Sequence, residues 1–244
     1  MGEEFTLLGG AVKLVLPEGG FRPGLDTVLL AAACPAKAGQ SVLDAGCGSG
    51  AAGYCLMRRV ENLQLTGVEI QPQMVETARH NASLNGFADR VSVIEGDIAR
   101  YAYGLSKPQF DHVICNPPYW EEGAHSISPD DSRARAMGFV EENHDLEHWV
   151  KACLVALKSN GTLTLIFRAD GLDMVMGVLA KRFGDIEIFP LWPREGQKAK
   201  RVIVRAKRDR KGPTQILAGM VVHDADGGWT ERAESILRNP LPLF

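Results

Sequence analysis

The 244-residue chain lacks most of the marks that secreted, membrane or metal-binding proteins carry. Its five cysteines (Cys34, Cys47, Cys55, Cys115, Cys153) are scattered, with no CxxC pair. That argues against a disulfide framework and a zinc site, and for a reducing cytoplasmic setting. The six histidines have no metal-ligand spacing with the cysteines; His144 and His148 stand four apart, but the HExxH pattern fails at Asp145. No stretch approaches ~18 uninterrupted apolar residues, so no membrane-spanning helix is expected. The opening MGEEFTLLGG has neither a basic start nor a long apolar run, so no signal peptide is expected. Its loose match to a myristoylation pattern has no other support. Net charge is only -3 and the pI is near 6.1, so any surface for nucleic acid has to be local. Internal repeats, low-complexity tracts and domain-separating linkers are missing as well.

What is present is enough apolar material, 45% of residues, to fill one large α/β domain. Ser41 to Ala45, Leu63 to Val68, Val91 to Ile94, Asp111 to Cys115 and Thr162 to Phe167 read as strands. A segment through Arg59, then Gln71 to Asn85, Asp145 to Lys158 and Gly171 to Arg182 read as helices. This alternation predicts an α/β fold: a doubly wound, mostly parallel sheet with helices on both faces and an antiparallel last strand. Residues 1–244 are expected to form one domain, with a hairpin and helix extension at 1–40 and a C-terminal extension at 209–244. Residues 118–144 are the one long polar connection, and a loop of that length in a compact domain is more often functional than idle.

Two motifs carry the chemistry. In VLDAGCGSG, residues 42–50, a strand ends at Asp44, and Gly46, Cys47, Gly48 and Gly50 turn the chain into a helix. Glycines here permit a tight turn and close approach of a ligand to the backbone. Glu69 closes the next strand, where a carboxylate can accept hydrogen bonds from both hydroxyls of a ribose, and Ile70 follows it. Asp97, with Ile98 after it, follows the third strand and can accept from an adenine amino group; the plainer role is a helix N-cap. The second motif is DHVICNPPYW, residues 111–120. Pro117 and Pro118 have no N–H for a ladder, so they stop the strand and hold Asn116 at its carboxyl end. Tyr119 follows as a second candidate substrate contact, although Asn-Pro is also an ordinary turn opener.

Dinucleotide and S-adenosylmethionine sites share the first set of features. A G-x-G-x-x-G fingerprint would put its third glycine at 51, where Ala51 stands, and the fingerprint tolerates that. The Asn-Pro-Pro-Tyr corner separates the two, because a dehydrogenase has no evident use for it. Together, Asp44 to Gly50 and Asn116 to Tyr119 resemble the Class I S-adenosylmethionine-dependent methyltransferases that act on exocyclic or amide nitrogens. GFRPGLDTVLLAAA (20–33), PREGQKAKRVIVRAKR (193–208) and VVHDADGGWT (221–230) further resemble the tRNA1(Val) adenine-37 N6-methyltransferase group. The resemblance implies S-adenosyl-L-methionine as cofactor and RNA, in particular tRNA, as partner. It also implies that Arg22 and Gly24 line the methionine end, with Arg22 at the cofactor carboxylate. Asp26 is expected to cap the helix that follows. Glutamine-amide and guanine-amine methylation remain alternatives on the same core, as do a nicotinamide dehydrogenase and a non-catalytic RNA-binding module.

The corner suits a planar amine. If the Asn116 side-chain oxygen and the Pro117 carbonyl accept from its two N–H bonds, the nitrogen lone pair is steered toward the methyl group, with Tyr119 stacked on the base. Basic residues are concentrated late in the chain, with Lys198, Lys200, Arg201 and Arg205 as candidate phosphate contacts. An edge strand guarded by cations is the plainer explanation of that run. Trp120, Arg133 and Arg135, after the corner, are further RNA candidates.

Overall fold

The computed structural model describes residues 2–18, 22–117 and 146–244. The chain opens with β1 (Glu3–Leu7) and β2 (Val12–Leu16), an antiparallel hairpin, and continues through α1 (Leu25–Ala33). The alternating core is β3 (Ser41–Ala45), α2 (Ala51–Arg59), β4 (Gln64–Glu69), α3 (Pro72–Leu84), β5 (Val91–Glu95), α4 (Ile98–Tyr103) and β6 (Phe110–Cys115). After the undescribed connection come α5 (Leu146–Ala156), β7 (Leu157–Arg168), α6 (Leu172–Leu179), β8 (Phe183–Trp192), β9 (Arg201–Arg208), the short β10 (Gln215–Ile216) and β11 (Met220–Val221), and α7 (Glu231–Arg238).

Period-two burial explains the layering. Val42, Ile114, Ile166 and Ile203 enter one apolar cluster, with α1, α2, α7 and the hairpin. Their neighbours Leu43, Val113, Leu165 and Val204 enter the other, with α4, α5 and α6. Alternate side chains of one sheet therefore feed two cores, so both faces need helices. The strand order is β10-β8-β9-β7-β6-β3-β4-β5, with β11 also on β8. Pairings from β5 through β7 are parallel. The reversed strand is β9, the last long one, antiparallel to both β7 and β8. The chain runs from β3 outward to β5 and then crosses to β6 on the other side of β3. A crevice therefore opens at the carboxyl ends of β3 and β6.

Several boundaries differ from the sequence expectation. The helix expected through Lys158 ends at Ala156, because β7 begins at Leu157. The helix expected through Arg182 ends at Leu179, and the unexpected β8 follows. Its pattern is hidden by a register shift between Gly184 and Glu187, by Asp185 at φ 48°, and by Pro190. Asp26 is not a cap: α1 starts earlier, with Gly24 as N-cap, and Asp26 sits in the first turn. There its Oδ2 accepts from Arg201 Nε at 2.8 Å while remaining favourable to the helix dipole.

The hairpin is docked by two side-chain amides, Asn81 of α3 and Asn85, which caps the carboxyl end of that helix. Asn85 Oδ1 accepts from Lys13 N at 3.0 Å and its Nδ2 donates to Lys13 O at 2.6 Å. One turn earlier, Asn81 does the same with Val15, at 2.8 and 3.2 Å. Two asparagines four apart thus serve as a substitute strand edge for β2, satisfying backbone groups that would otherwise be lost in the interface. Asn85→Ala is expected to destabilise the protein by about 1–3 kcal/mol, since a partly buried N–H and C=O lose their partners. Denaturant unfolding checks this, and a change below ~0.5 kcal/mol would mean that the hairpin is held by its apolar side chains alone.

Candidate active site

Three strand ends meet at the crevice. After Ala45, the chain bends through Gly46, Gly48 and Gly50, at φ 69°, 53° and 82°. Gly46 N and Cys47 N both donate to Val68 O, at 2.9 and 3.1 Å, pinning the turn to β4. At Gly46 a side chain is disfavoured twice, by the left-handed φ and because a Cβ would lie 2.6 Å from the Trp149 indole. At Gly48 a Cβ would meet nothing nearer than Met74 Cε at 4.0 Å. The space over Gly48 is therefore open, as close approach of a ligand to backbone requires.

Glu69, at the end of β4 and only 7% exposed, organises this end of the sheet. Its Oε2 accepts from Gly48 N and its Oε1 from Gln71 N, both at 2.9 Å. A carboxylate has about four acceptor positions, so a ribose hydroxyl can be received without breaking either bond. Burial raises the Glu69 carboxyl above its usual range, while the N–H groups of Gln71, Gly48 and Ile70 oppose the shift. Half-buried Ile70 directly follows it. Asp97 caps α4, its Oδ1 accepting from Arg100 N at 2.8 Å. Ile98 is buried behind it.

Asp44 acts through structure. Its Oδ2 accepts from Gly53 N at 3.1 Å, giving α2 the acceptor that its own N-cap, Gly50, cannot supply. Cys47 turns its sulfur toward Gly67, where a Cβ would approach within 2.7 Å. Burial holds that thiol far above its ordinary range, so it is not a nucleophile. Arg22 forms an exposed ion pair with Glu3 of the hairpin. Exposed Gly24 has nothing within 4 Å of a Cβ position. Asn116 is half-buried and Pro117 buried, directly beyond β6. Pro118, Tyr119, Trp120, Arg133 and Arg135 lie outside the described residues.

Sequence reasoning missed Asn81. Besides gripping Val15, its Nδ2 donates to Ser49 O at 3.1 Å, tying hairpin, α3 and glycine turn together. Tyr54, fully buried, adds a second tie by donating to Ala78 O at 2.6 Å. A polar amide in the middle of an apolar helix face was the available signal.

The basic run also resolves differently from a single cluster. Register places Arg201 beside Arg168, at the site end of the sheet, and Lys207 beside Thr162, at the other end. Six residues of strand separate them, about 20 Å. Lys198 and Lys200 are exposed at the site end. Arg201 pairs with Asp26. Arg205 lies mid-strand, bound to Glu187 and stacked 3.9 Å from the Phe244 ring centre.

Residues 36–165 match the model of a methyltransferase domain, and the chain belongs to that family. S-adenosyl-L-methionine is the cofactor, and the open cradle over Gly48 and the acceptors of Glu69 fit it. Relatives named tRNA1(Val) (adenine(37)-N6)-methyltransferase include that of Shewanella baltica strain OS195, 27% identical over 223 residues, covering 90% of this chain and 92% of that one. The one from Porphyromonas gingivalis is 34% identical over 157 residues, covering 62% and 60%. Among solved structures, the Agrobacterium tumefaciens protein Atu636, a predicted O-methyltransferase, superposes with a TM-score of 0.74 at 27% identity, covering 90% of this chain and 98% of its own. No described helix is long and apolar enough to cross a membrane. Among the described residues no group of three or more His, Cys, Asp or Glu is placed to hold a metal ion.

Burial drives the Asp44 carboxyl from 3.8 up to about 7; the Gly53 N–H opposes the rise and the charge of Glu69 adds to it. A folded-state pKa above the unfolded value means that the native protein holds the extra proton, so the Asp44 contribution to stability falls as pH rises from about 4 to about 7. Asp44→Asn keeps an acceptor for Gly53 and removes the proton. Its unfolding free energy is expected to vary less with pH across that window than that of the wild type, measured without cofactor. An unchanged pH slope would show that Asp44 is charged throughout.

Proposed function

We propose that the protein methylates the exocyclic amine of an adenine in tRNA, using S-adenosyl-L-methionine. The observation that carries the reading is the position of Asn116 and buried Pro117, immediately beyond β6 and beside the glycine turn across the switch point. The names of the Shewanella and Porphyromonas relatives supply the substrate class. Similarity to the Shewanella relative covers 90% of the chain, well past residues 36–165, which agrees with one domain whose 1–40 and 209–244 extensions serve the same task.

When bound, the cofactor supplies an electrophilic methyl group on a sulfonium. An adenine amine is a weak nucleophile because its lone pair is delocalised into the ring. Two acceptors, the Asn116 side-chain oxygen and the Pro117 carbonyl, take its two N–H bonds and turn the lone pair toward the methyl group. Pro117 has no N–H to compete. No strong base is needed, since the methylated nitrogen becomes acidic and releases its proton afterwards. Orientation and fixed dipoles account for the rate. Tyr119 supplies the stacking face.

Atu636 raises the possibility of a hydroxyl acceptor, which has one O–H for two acceptors and needs a base. Among the described residues, the two buried acids at this end, Asp44 and Glu69, are already engaged with backbone N–H groups. A glutamine amide would satisfy the same corner, and the exposed cations at the site end favour RNA over it. This substrate also agrees with a cytoplasmic location.

Asn116→Ala is expected to remove most turnover while leaving S-adenosylhomocysteine affinity within about threefold, because the side chain acts on the nucleophile. Parallel loss of turnover and calorimetric affinity would make Asn116 a structural residue. The split basic run gives a second test. Lys198→Ala with Lys200→Ala should raise KM for tRNA and flatten its salt dependence by up to roughly two log–log units, about one per lost phosphate contact. Lys207→Ala with Lys211→Ala, toward the far end, should alter neither. Equal effects from the two pairs would contradict an RNA path at the site end.

A further inference from the structure

The C-terminal segment builds a feature that the proposed chemistry does not use. Residues 222–230 form a tight hairpin beside the end of β8. Val222 N donates to Trp192 O at 2.8 Å and His223 N to Pro193 O at 3.0 Å, while Asp224 N reaches Gly228 O at 3.0 Å across the turn. Thr230 closes it, its N donating to Val222 O at 3.0 Å and its Oγ1 to Val221 O at 2.8 Å. His223 and Trp229 face each other in an isolated bridge. Their rings stack with centroids 4.4 Å apart and planes 23° from parallel. The indole is 40% exposed.

A single exposed aromatic is unremarkable in itself. Here, however, the ring is held by a hydrogen-bonded backbone and backed by a second ring, and three exposed cations lie in the neighbouring connection. Arg194, Lys198 and Lys200, in the connection from β8 to β9, are exposed, with Glu195 among them and Asp170 within the electrostatic reach of Lys200. Arg194 Nη2 lies 3.4 Å from the position a Cβ would take on Gly227, so its guanidinium lies against the same hairpin. Two exposed carboxylates stand in the turn, Asp224, which accepts from Asp226 N at 3.1 Å, and Asp226 itself.

The register locates the hairpin. Leu191 lies opposite Arg201, and Arg201 opposite Arg168, so β8 ends on the same side of the sheet as β6 and Asn116. Three strand spacings separate β8 from β6 and four separate β11 from it, roughly 14–19 Å. That is a few nucleotides along a single strand.

We infer that the Trp229–His223 stack is a platform for an unpaired base of the RNA, a few nucleotides from the adenine whose amine is methylated, with Arg194, Lys198 and Lys200 on the intervening phosphates. The inference rests on the RNA reading proposed above. Sequence-tolerant stacking on an aromatic face beside a cationic path is how proteins grip single strands. The platform fixes which stretch of RNA lies over the crevice, and so acts on substrate affinity and not on the chemical step.

Steady-state methylation of tRNA by wild type, Trp229→Ala and Trp229→Phe tests it, with melting temperature and S-adenosylhomocysteine affinity measured for each. Trp229→Ala is expected to raise KM for tRNA about 5- to 100-fold, the loss of one base–aromatic stack. Its kcat and cofactor affinity should stay near wild type, and Trp229→Phe should recover most of the KM. If the alanine variant melts early, the phenylalanine variant still decides: quenching by a single-stranded oligoribonucleotide should be smaller than in the wild type by the share of Trp229, and equal quenching in the two would overturn the platform. Wild-type methylation of tRNA with KM unchanged in Trp229→Ala would overturn the platform and leave the RNA reading standing. Absence of any methyl transfer to RNA by the wild type would overturn both.

Discussion

The structure at the crevice depends on one carboxylate. Glu69 receives Gly48 N from the turn after β3 and Gln71 N from the start of α3, so two separate segments are registered against each other by a single buried side chain. A buried charge costs free energy unless it is hydrogen-bonded, and the N–H groups that offset this cost belong to the ligand cradle itself. The open space over Gly48 and the spare acceptor positions on Glu69 therefore come from the same arrangement. An apolar residue at 69 would leave two N–H groups without partners and remove the site together with its scaffold.

Around that carboxylate, polar ties replace what glycine cannot provide. Gly50 has no side chain to cap α2, and Asp44 reaches across from β3 to do so. Ser49 O is held by Asn81, which also carries the amino-terminal hairpin. The amino-terminal extension is thus coupled to the cofactor turn through one amide. On the other side of the switch point, Asn116 and Pro117 lie directly beyond β6, where proline fixes the backbone. In the function proposed above, the first half of the crevice holds the methyl donor and the second orients the acceptor.

The sequence revealed those parts of the site whose chemistry is written in residue type. Glycines after a strand, an acid at the next strand end and prolines after an asparagine are legible as residue types, and the structure places Asp44, Glu69 and Asn116 at neighbouring strand ends. Partners distant in sequence could not. Arg205 reads as a phosphate contact until Glu187 and the Phe244 ring are placed beside it, and Asp26 reads as a cap until Arg201 arrives from 175 residues away. The basic run reads as one patch until β9, running antiparallel, carries its two ends to opposite edges of the sheet. Strand β8 was obscured because a bulge and Pro190 break the alternation by which a strand is read. Asn81 and Asn85 were passed over because asparagine within a helix signals only a weak helix former.

The central claim is that this crevice transfers a methyl group to an adenine amine of RNA. It is tested most directly by incubating the protein with S-adenosyl-L-methionine carrying a labelled methyl group, together with total RNA and total protein from unmodified cells, followed by nucleoside and peptide analysis. The account predicts label in N6-methyladenosine from the tRNA fraction. Label in a protein glutamine or in a methylated guanosine would contradict it.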